Sequence, residues 1–285
     1  MARTALYNRF GNNNFTIHSH LNSFAHGIFP LASRLFNHSC APNAAARYKL
    51  VQGQAVTMEV VALRDIPEGE EVLGFDGLDT EICIPYLDPA LLQTRQQIFQ
   101  LTYGFQCTCI SCEGLKSVGP IPEVPQDPAR LVALEYRLRT YVGVDDLEHY
   151  VLRTKPITQS LPPEISYFLK EDYIEHLSGV FGQSSHDGPY DRALESGVTL
   201  LAIYLLIYSE NYPQIGSFHH PAALPPVDSP PGVHALELAK TAWNASMPTN
   251  DIVRRQHAMA QVRACLSVSR RILGLYGPRV MVEDP

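Results

Sequence analysis

The sequence predicts an α+β chain. Short strands and loops run to about residue 115, and an all-α part of paired helices follows. Three observations point there. A glycine-centred hairpin pattern lies near residue 53, a break with four prolines spans 119–128, and helical periodicity dominates beyond it. The implied division is 1–115 for the small-stranded part, 116–128 for a Pro-rich linker, and 129–285 for the helical part.

In the first part, Lys49-Leu50-Val51 and the run Ala55 to Ala62 flank Gln52-Gly53-Gln54, a hairpin with glycine at the turn. Arg64 to Glu71 reads as a turn-rich link. Leu91 to Tyr103 carries Leu91, Leu92, Ile98 and Leu101 amid Gln and Arg, which fits a short helix. In the second part, Ala129 to Tyr141 sets Leu131, Leu134, Tyr136 and Leu138 on roughly one face. Glu164 to Phe181, Tyr190 to Tyr212, His234 to Met247 and Asp251 to Tyr276 are further helices. A proline-rich loop, 213–232, precedes the last two. Small residues at Ala235, Ala239, Ala242, Ala258, Ala260 and Ala264 suit close helix crossing. That arrangement resembles tetratricopeptide-type hairpins, and a generic helical bundle fits equally, since no clean repeat is present.

Composition narrows the function. Of 285 residues, 45% are hydrophobic and 18% charged, enough for a filled core. A net charge of -7 argues against phosphate-backbone binding and suits a basic partner such as a lysine-rich protein tail. The longest apolar run, Val198 to Tyr208, is too short to span a bilayer and reads as a buried helix. The first twenty residues lack a secretory pattern. The expectation is a monomer of the nucleus or cytoplasm, with neither nucleic acid nor membrane as partner.

The cysteines carry the sharpest signal. Cys107, Cys109 and Cys112 stand at C-x-C-x-x-C spacing, one thiol short of the usual four-ligand structural zinc site. Cys40 ends the run Asn37-His38-Ser39-Cys40 and is the natural fourth ligand. A closed four-sulfur shell leaves no position for water, so the zinc would be structural. The alternative is a group of free thiols. Cys83 and Cys265 are left as isolated thiols, and the chain is too core-rich to need disulfides.

Together these residues resemble a family. Asn37-His38-Ser39-Cys40-Ala41-Pro42-Asn43 is similar to the N-H-S-C-x-P-N signature of SET-domain lysine methyltransferases. Asp65 to Glu71 resembles the family's I-x-x-G-E-E turn, and Tyr86-Leu87-Asp88 its Y-x-D. Tyr103 to Cys112 resembles its Y-x-F-x-C-x-C-x-x-C post-SET segment. Asn13-Asn14-Phe15-Thr16-Ile17 and the helical second part resemble the SET and MYND domain branch. The resemblance implies a SET-type fold, S-adenosylmethionine as methyl donor, and a lysine of a protein, a histone's included, as acceptor. Lysine, with a pKa of about 10.4, must lose its proton before it can attack.

By the same resemblance, Asn13, Asn37, His38 and Phe105 bind the donor. Tyr86 orients the amine, and Tyr103 lines the lysine channel. Each residue type also suits a turn or a core, and Ser39 shapes the turn. No G-x-G precedes residue 13, and there is no MYND-type Cys/His module. The expectation is therefore a pocket lacking one wall. Such a chain is either a piece of a longer enzyme or a degenerate form that serves as a protein-binding scaffold. Val72 to Glu81 reads as an insertion ahead of the tyrosine strand, which makes Phe75 a second occupant for the tyrosine slot. Pro85, which cannot donate a strand hydrogen bond, directly precedes Tyr86.

Overall fold

A computed structural model describes residues 13–19, 22–49, 53–66, 82–144, 161–208, 234–248 and 250–276. Three two-stranded pairs build the first part. Strands β1 (Asn14–Ser19) and β2 (Asn22–Ile28) are antiparallel, with an irregularity between Ile17 and His18. Strand β3 (Asn37–His38) pairs in parallel with β6 (Cys83–Ile84). Strands β4 (Ala44–Lys49) and β5 (Thr57–Ala62) form the hairpin read around Gly53. It is shifted from the sequence reading: β4 begins upstream of Lys49, and Leu50 to Gln52 lie outside the described residues. Phe29, edge-on to Phe15 and tilted against Tyr48, packs the β1–β2 pair on the β4–β5 pair.

The short helix expected over 91–103 is an α-helical turn followed by a wider, π-helical one. Helix α1 (Ala32–Leu35) precedes β3, and α2 (Arg95–Ile98) precedes a π-helical turn, Phe99–Tyr103. The Gly104 amide donates to the Phe99 carbonyl at 2.9 Å, and Gly104 adopts a positive φ of 76° that glycine allows at no steric cost. Leu92 is buried here, whereas Leu101 is 77% exposed and does not serve the core as its periodicity suggested. The cysteine segment, expected among strands and loops, instead opens helix α3 (Ile110–Val118).

Helix α4 (Pro128–Val142) follows the proline stretch. Proline occupies its first turn, where a missing N–H is harmless, and the Asp127 carboxylate accepts from the Ala129 amide. Leu134, Leu138 and Val142, four residues apart, face the core. Tyr136 lies most of the way round the helix and is exposed, so it does not share their face.

The helix expected over 164–181 is two elements. A 3-10 helix (Pro163–Leu169) and α5 (Glu171–Asp187) are separated at Lys170, whose ψ of 128° is extended. Tyr167, Phe168 and Leu169, which close the 3-10 helix, are all buried, and the extended Lys170 starts α5 afresh. Helix α6 (Tyr190–Ile207) ends at Tyr208, short of the reading to Tyr212; 209–233 lie outside the described residues.

Helices α7 (His234–Ser246) and α8 (Ile252–Tyr276) pack on each other, with Ala235, Ala239, Ala242, Ala258 and Ala260 buried. Gly197 of α6 lets α5 and α7 approach: a Cβ there would stand 2.5 Å from Phe181 and 2.7 Å from Leu238. One apolar cluster runs from Ala45, Leu63 and Leu92 into Phe168, Phe181, Leu200 and Leu238, so strands and helices share a core. No helix among the described residues is long and apolar enough to cross a membrane.

Candidate functional site

The parallel pairing of β3 with β6 brings two distant segments side by side. The Ser39 amide donates to the Ile84 carbonyl at 3.2 Å, and the Cys83 amide donates to the Asn43 side-chain oxygen at 2.9 Å. Strand β6 ends at Ile84, one residue before Pro85, as a residue without an amide donor requires. The chain then turns, and Tyr86 folds back over β3. Its amide donates to His38 Nδ1 at 3.0 Å, and its hydroxyl donates to the Phe36 carbonyl at 2.7 Å. Since Nδ1 accepts, the neutral imidazole carries its proton on Nε2. That nitrogen lies 3.2 Å from Cys40 Sγ.

Aromatic rings wall this corner. His38 sits 4.4 Å from Phe99 and 5.3 Å from Tyr86, centroid to centroid. Phe99 is fully buried and stacks on Phe105 at 5.1 Å. Tyr103 packs against Tyr86 at 5.3 Å. The π-helical turn makes this possible, because its extra residue returns Tyr103 and Phe105 to the side that Phe99 occupies. Burial raises the Tyr103 phenol above the ordinary tyrosine range, so it stays protonated at neutral pH.

Behind the rings lie the thiols. Ligand atoms of Cys40, Cys107, Cys109 and Cys112 all fall within 4.8 Å of one another, and all four residues are buried. Cys40 Sγ is 3.6 Å from Cys112 Sγ and 4.0 Å from Cys107 Sγ. A disulfide needs about 2.05 Å, so these are separate thiols. Tetrahedral zinc with bonds of about 2.3 Å would set sulfurs about 3.8 Å apart, and the observed spacing fits that shell. S–H donors from Cys109 and Cys112 draw the Cys107 thiol well below its usual range. Hydrogen bonding to Cys107 pushes the Cys40 thiol up. By contrast, burial alone lifts the isolated Cys265 thiol to about 12. The clustered thiols can bind a metal; Cys265 is packing.

Helix α2 holds the thiol segment. The Gln96 amide nitrogen donates to the Cys107 carbonyl at 2.7 Å, and Gln96 Oε1 accepts from the Cys107 amide at 3.1 Å. Arg95 is 0% exposed. It donates to the Pro89 carbonyl and to Ser111 Oγ, each at 3.2 Å.

Of the residues singled out in the sequence, His38, Tyr86, Tyr103, Phe105 and the four cysteines converge here. Asn37 is exposed at the edge of this corner rather than buried in a turn, and Ser39 Oγ accepts from the Ala41 amide. Asn13 lies at the turn leading into β1, in the strand pair that packs on β4. Phe75, the second occupant weighed for the tyrosine slot, and the turn beyond Ile66 lie outside the described residues. Phe36, Arg95, Gln96 and Phe99 were not foreseen. Phe36 contributes only a carbonyl, which no pattern marks. Arg95 and Gln96 sit in a run of Gln, Thr and Arg that reads as solvated surface.

The SET domain family model matches residues 7–74 of this chain. The match supports a SET-domain protein and points to the protein-lysine methyltransferases. It covers β1 to β5 and Cys40, while Tyr86 and the other three thiols follow it. Among curated proteins, no match is found.

Proposed function

We propose that the chain is a SET-type protein-lysine N-methyltransferase that uses S-adenosylmethionine and is stapled by one structural zinc. The observation that carries this reading is the hydroxyl of Tyr86, whose proton is committed to the Phe36 carbonyl at 2.7 Å. With its proton so engaged, the phenolic oxygen offers lone pairs to a substrate. It can accept a hydrogen bond from a lysine amine and weak C–H contacts from a polarised methyl. When bound, S-adenosylmethionine supplies that methyl on a sulfonium.

The other residues position and exclude. Asn37, exposed beside β3, offers its amide and backbone to the donor, and His38 contributes backbone groups. Tyr103 gives the amine an apolar wall, which disfavours the ammonium form and leaves a nitrogen able to attack, while its neighbour Phe105 packs beside the donor's adenine. In-line placement then does most of the work, and no acid–base triad is required. Asn13, ahead of β1, is the remaining donor candidate. Cys40, Cys107, Cys109 and Cys112 hold zinc away from the reaction, with all four positions filled by sulfur. The substrate is a protein with an accessible lysine, and the charge of -7 favours a basic tail. The reading takes the protein as a monomer of the nucleus or cytoplasm, and free cysteines support a reducing compartment.

The test is calorimetric titration of the zinc-loaded chain with S-adenosylmethionine, then methyl transfer to lysine peptides. Tyr86→Phe should keep donor affinity within a few-fold and lower transfer by about a hundredfold, the usual scale for one polar group acting at a transition state. A folded, zinc-loaded chain that binds no donor would overturn the enzyme reading in favour of a non-catalytic scaffold.

A further inference from the structure

Arg95 is among the largest fully buried side chains described here. Both of its hydrogen bonds end on neutral oxygens, the Pro89 carbonyl and Ser111 Oγ. Its Nε is buried without a hydrogen-bond partner. Among the described residues no carboxylate forms an ion pair with it. Burying an unpaired charge costs several kcal/mol, so a fold that tolerates one must supply a countercharge elsewhere. Among the described residues, the cluster of potential anions beside it is sulfur. Ser111, its partner, is flanked by Cys112, and the next residue on the helix, Gln96, brackets Cys107.

Four thiolates around one divalent ion carry two formal negative charges. We propose that Arg95 is the counter-charge of a metal–tetrathiolate centre, so that the buried guanidinium and the bound ion stabilise each other. This rests on the reading that the four cysteines hold a metal. It assigns Arg95 a role as a positioning and charge-balancing residue outside the ligand set. Without the ion, Arg95 is a buried guanidinium whose hydrogen bonds end on neutral oxygens. With it, Arg95 faces an anion.

The experiment compares the full-length wild type with Arg95→Met and Arg95→Lys. Zinc affinity is measured by competition with a chelator, and thermal midpoints are taken zinc-loaded and chelator-stripped. Arg95→Met should weaken zinc binding by about 10- to 100-fold, the scale for groups that support metal ligands. Arg95→Lys, which keeps the charge and loses the fork, should recover most of that loss. The gap between loaded and stripped midpoints should shrink in Arg95→Met, because the stripped form no longer buries a lone charge. A role confined to packing would lower both midpoints together and leave the gap unchanged. That result, or wild-type zinc affinity in a folded Arg95→Met, would overturn the proposal. A wild type that takes up no zinc would overturn the metal reading along with it.

Discussion

His234 begins helix α7 and is fully buried between rings, 5.0 Å from Phe181 and 5.4 Å from Tyr204. Its Nε2–H donates to the Gly197 carbonyl at 2.9 Å, a bond that fixes the ring in place. Burial pushes its pKa down to about 4 from an ordinary 6.5. Above pH 6.5 both folded and unfolded chains hold a neutral ring, and this group adds no pH dependence. Between 6.5 and 4 only the unfolded chain takes the proton. Stability therefore falls as the pH falls across that window, by roughly 3 kcal/mol in all. His234→Phe removes this contribution. The difference in unfolding free energy between wild type and variant should shrink steadily from pH 7 to pH 4 in denaturant titrations. A difference that stays constant would show that the ring titrates alike in the folded and unfolded chain. Nothing in the sequence separates this histidine from the exposed ones, because what distinguishes it is the approach of α5 and α6 through Gly197.

Between elements, the clearest junction joins α2 to α5. Thr94, ahead of α2, has no side-chain cap of its own. The Glu171 carboxylate supplies one from the first turn of α5, accepting from the Thr94 amide at 2.9 Å and from the Gln93 amide and Thr94 hydroxyl. Gln93 replies, accepting from the Glu171 amide and donating to the Leu169 carbonyl at 2.8 Å each. Glu171→Ala should cost about 1 kcal/mol, the usual worth of a helix cap, and Glu171→Gln less, since one acceptor oxygen remains. Chemical denaturation of the two variants measures both. This junction spans 78 positions in sequence and left no trace in local pattern.

The elements themselves were more legible. Proline followed by spaced leucines marked α4, and Gly53 between two strand-like runs marked the hairpin. The errors came where burial overrode period, as at Tyr167-Phe168-Leu169. They also came where a turn departed from the α-helical rise, as at Phe99–Tyr103. The thiol spacing announced the cluster because metal ligation needs a fixed number of sulfurs at short range. The partners of Tyr86 could not be announced, because a backbone carbonyl looks the same in every residue.

At the scale of the molecule, the shared apolar core and the thiol cluster hold the chain together in different ways. The helices are fastened by burial of Phe168, Phe181, Leu200 and their neighbours, each worth about 1.5–3 kcal/mol relative to exposure. Residues 82–118 contribute only Leu92 and a few partly buried side chains to that core and gather instead around sulfur. On the proposed zinc reading, a strong chelator should loosen this segment and leave α5 to α8 folded. Hydrogen exchange should then accelerate at amides of 83–118 while 171–207 and 252–276 keep their protection. Equal acceleration in both regions would mean that the thiols and the helical core unfold as one.

Cys107, Cys109 and Cys112 lie within one turn of chain, so bringing them together orders few residues. Cys40 is 67 positions from Cys107. A metal held by both closes a long loop, and by the chain-entropy relation used for cross-links that closure withdraws about 4 kcal/mol of freedom from the unfolded ensemble. The order of assembly follows from this difference. On the metal reading, the local triplet would capture an ion while the chain is still open, and Cys40 would arrive last, together with His38 and the strand that seats Tyr86.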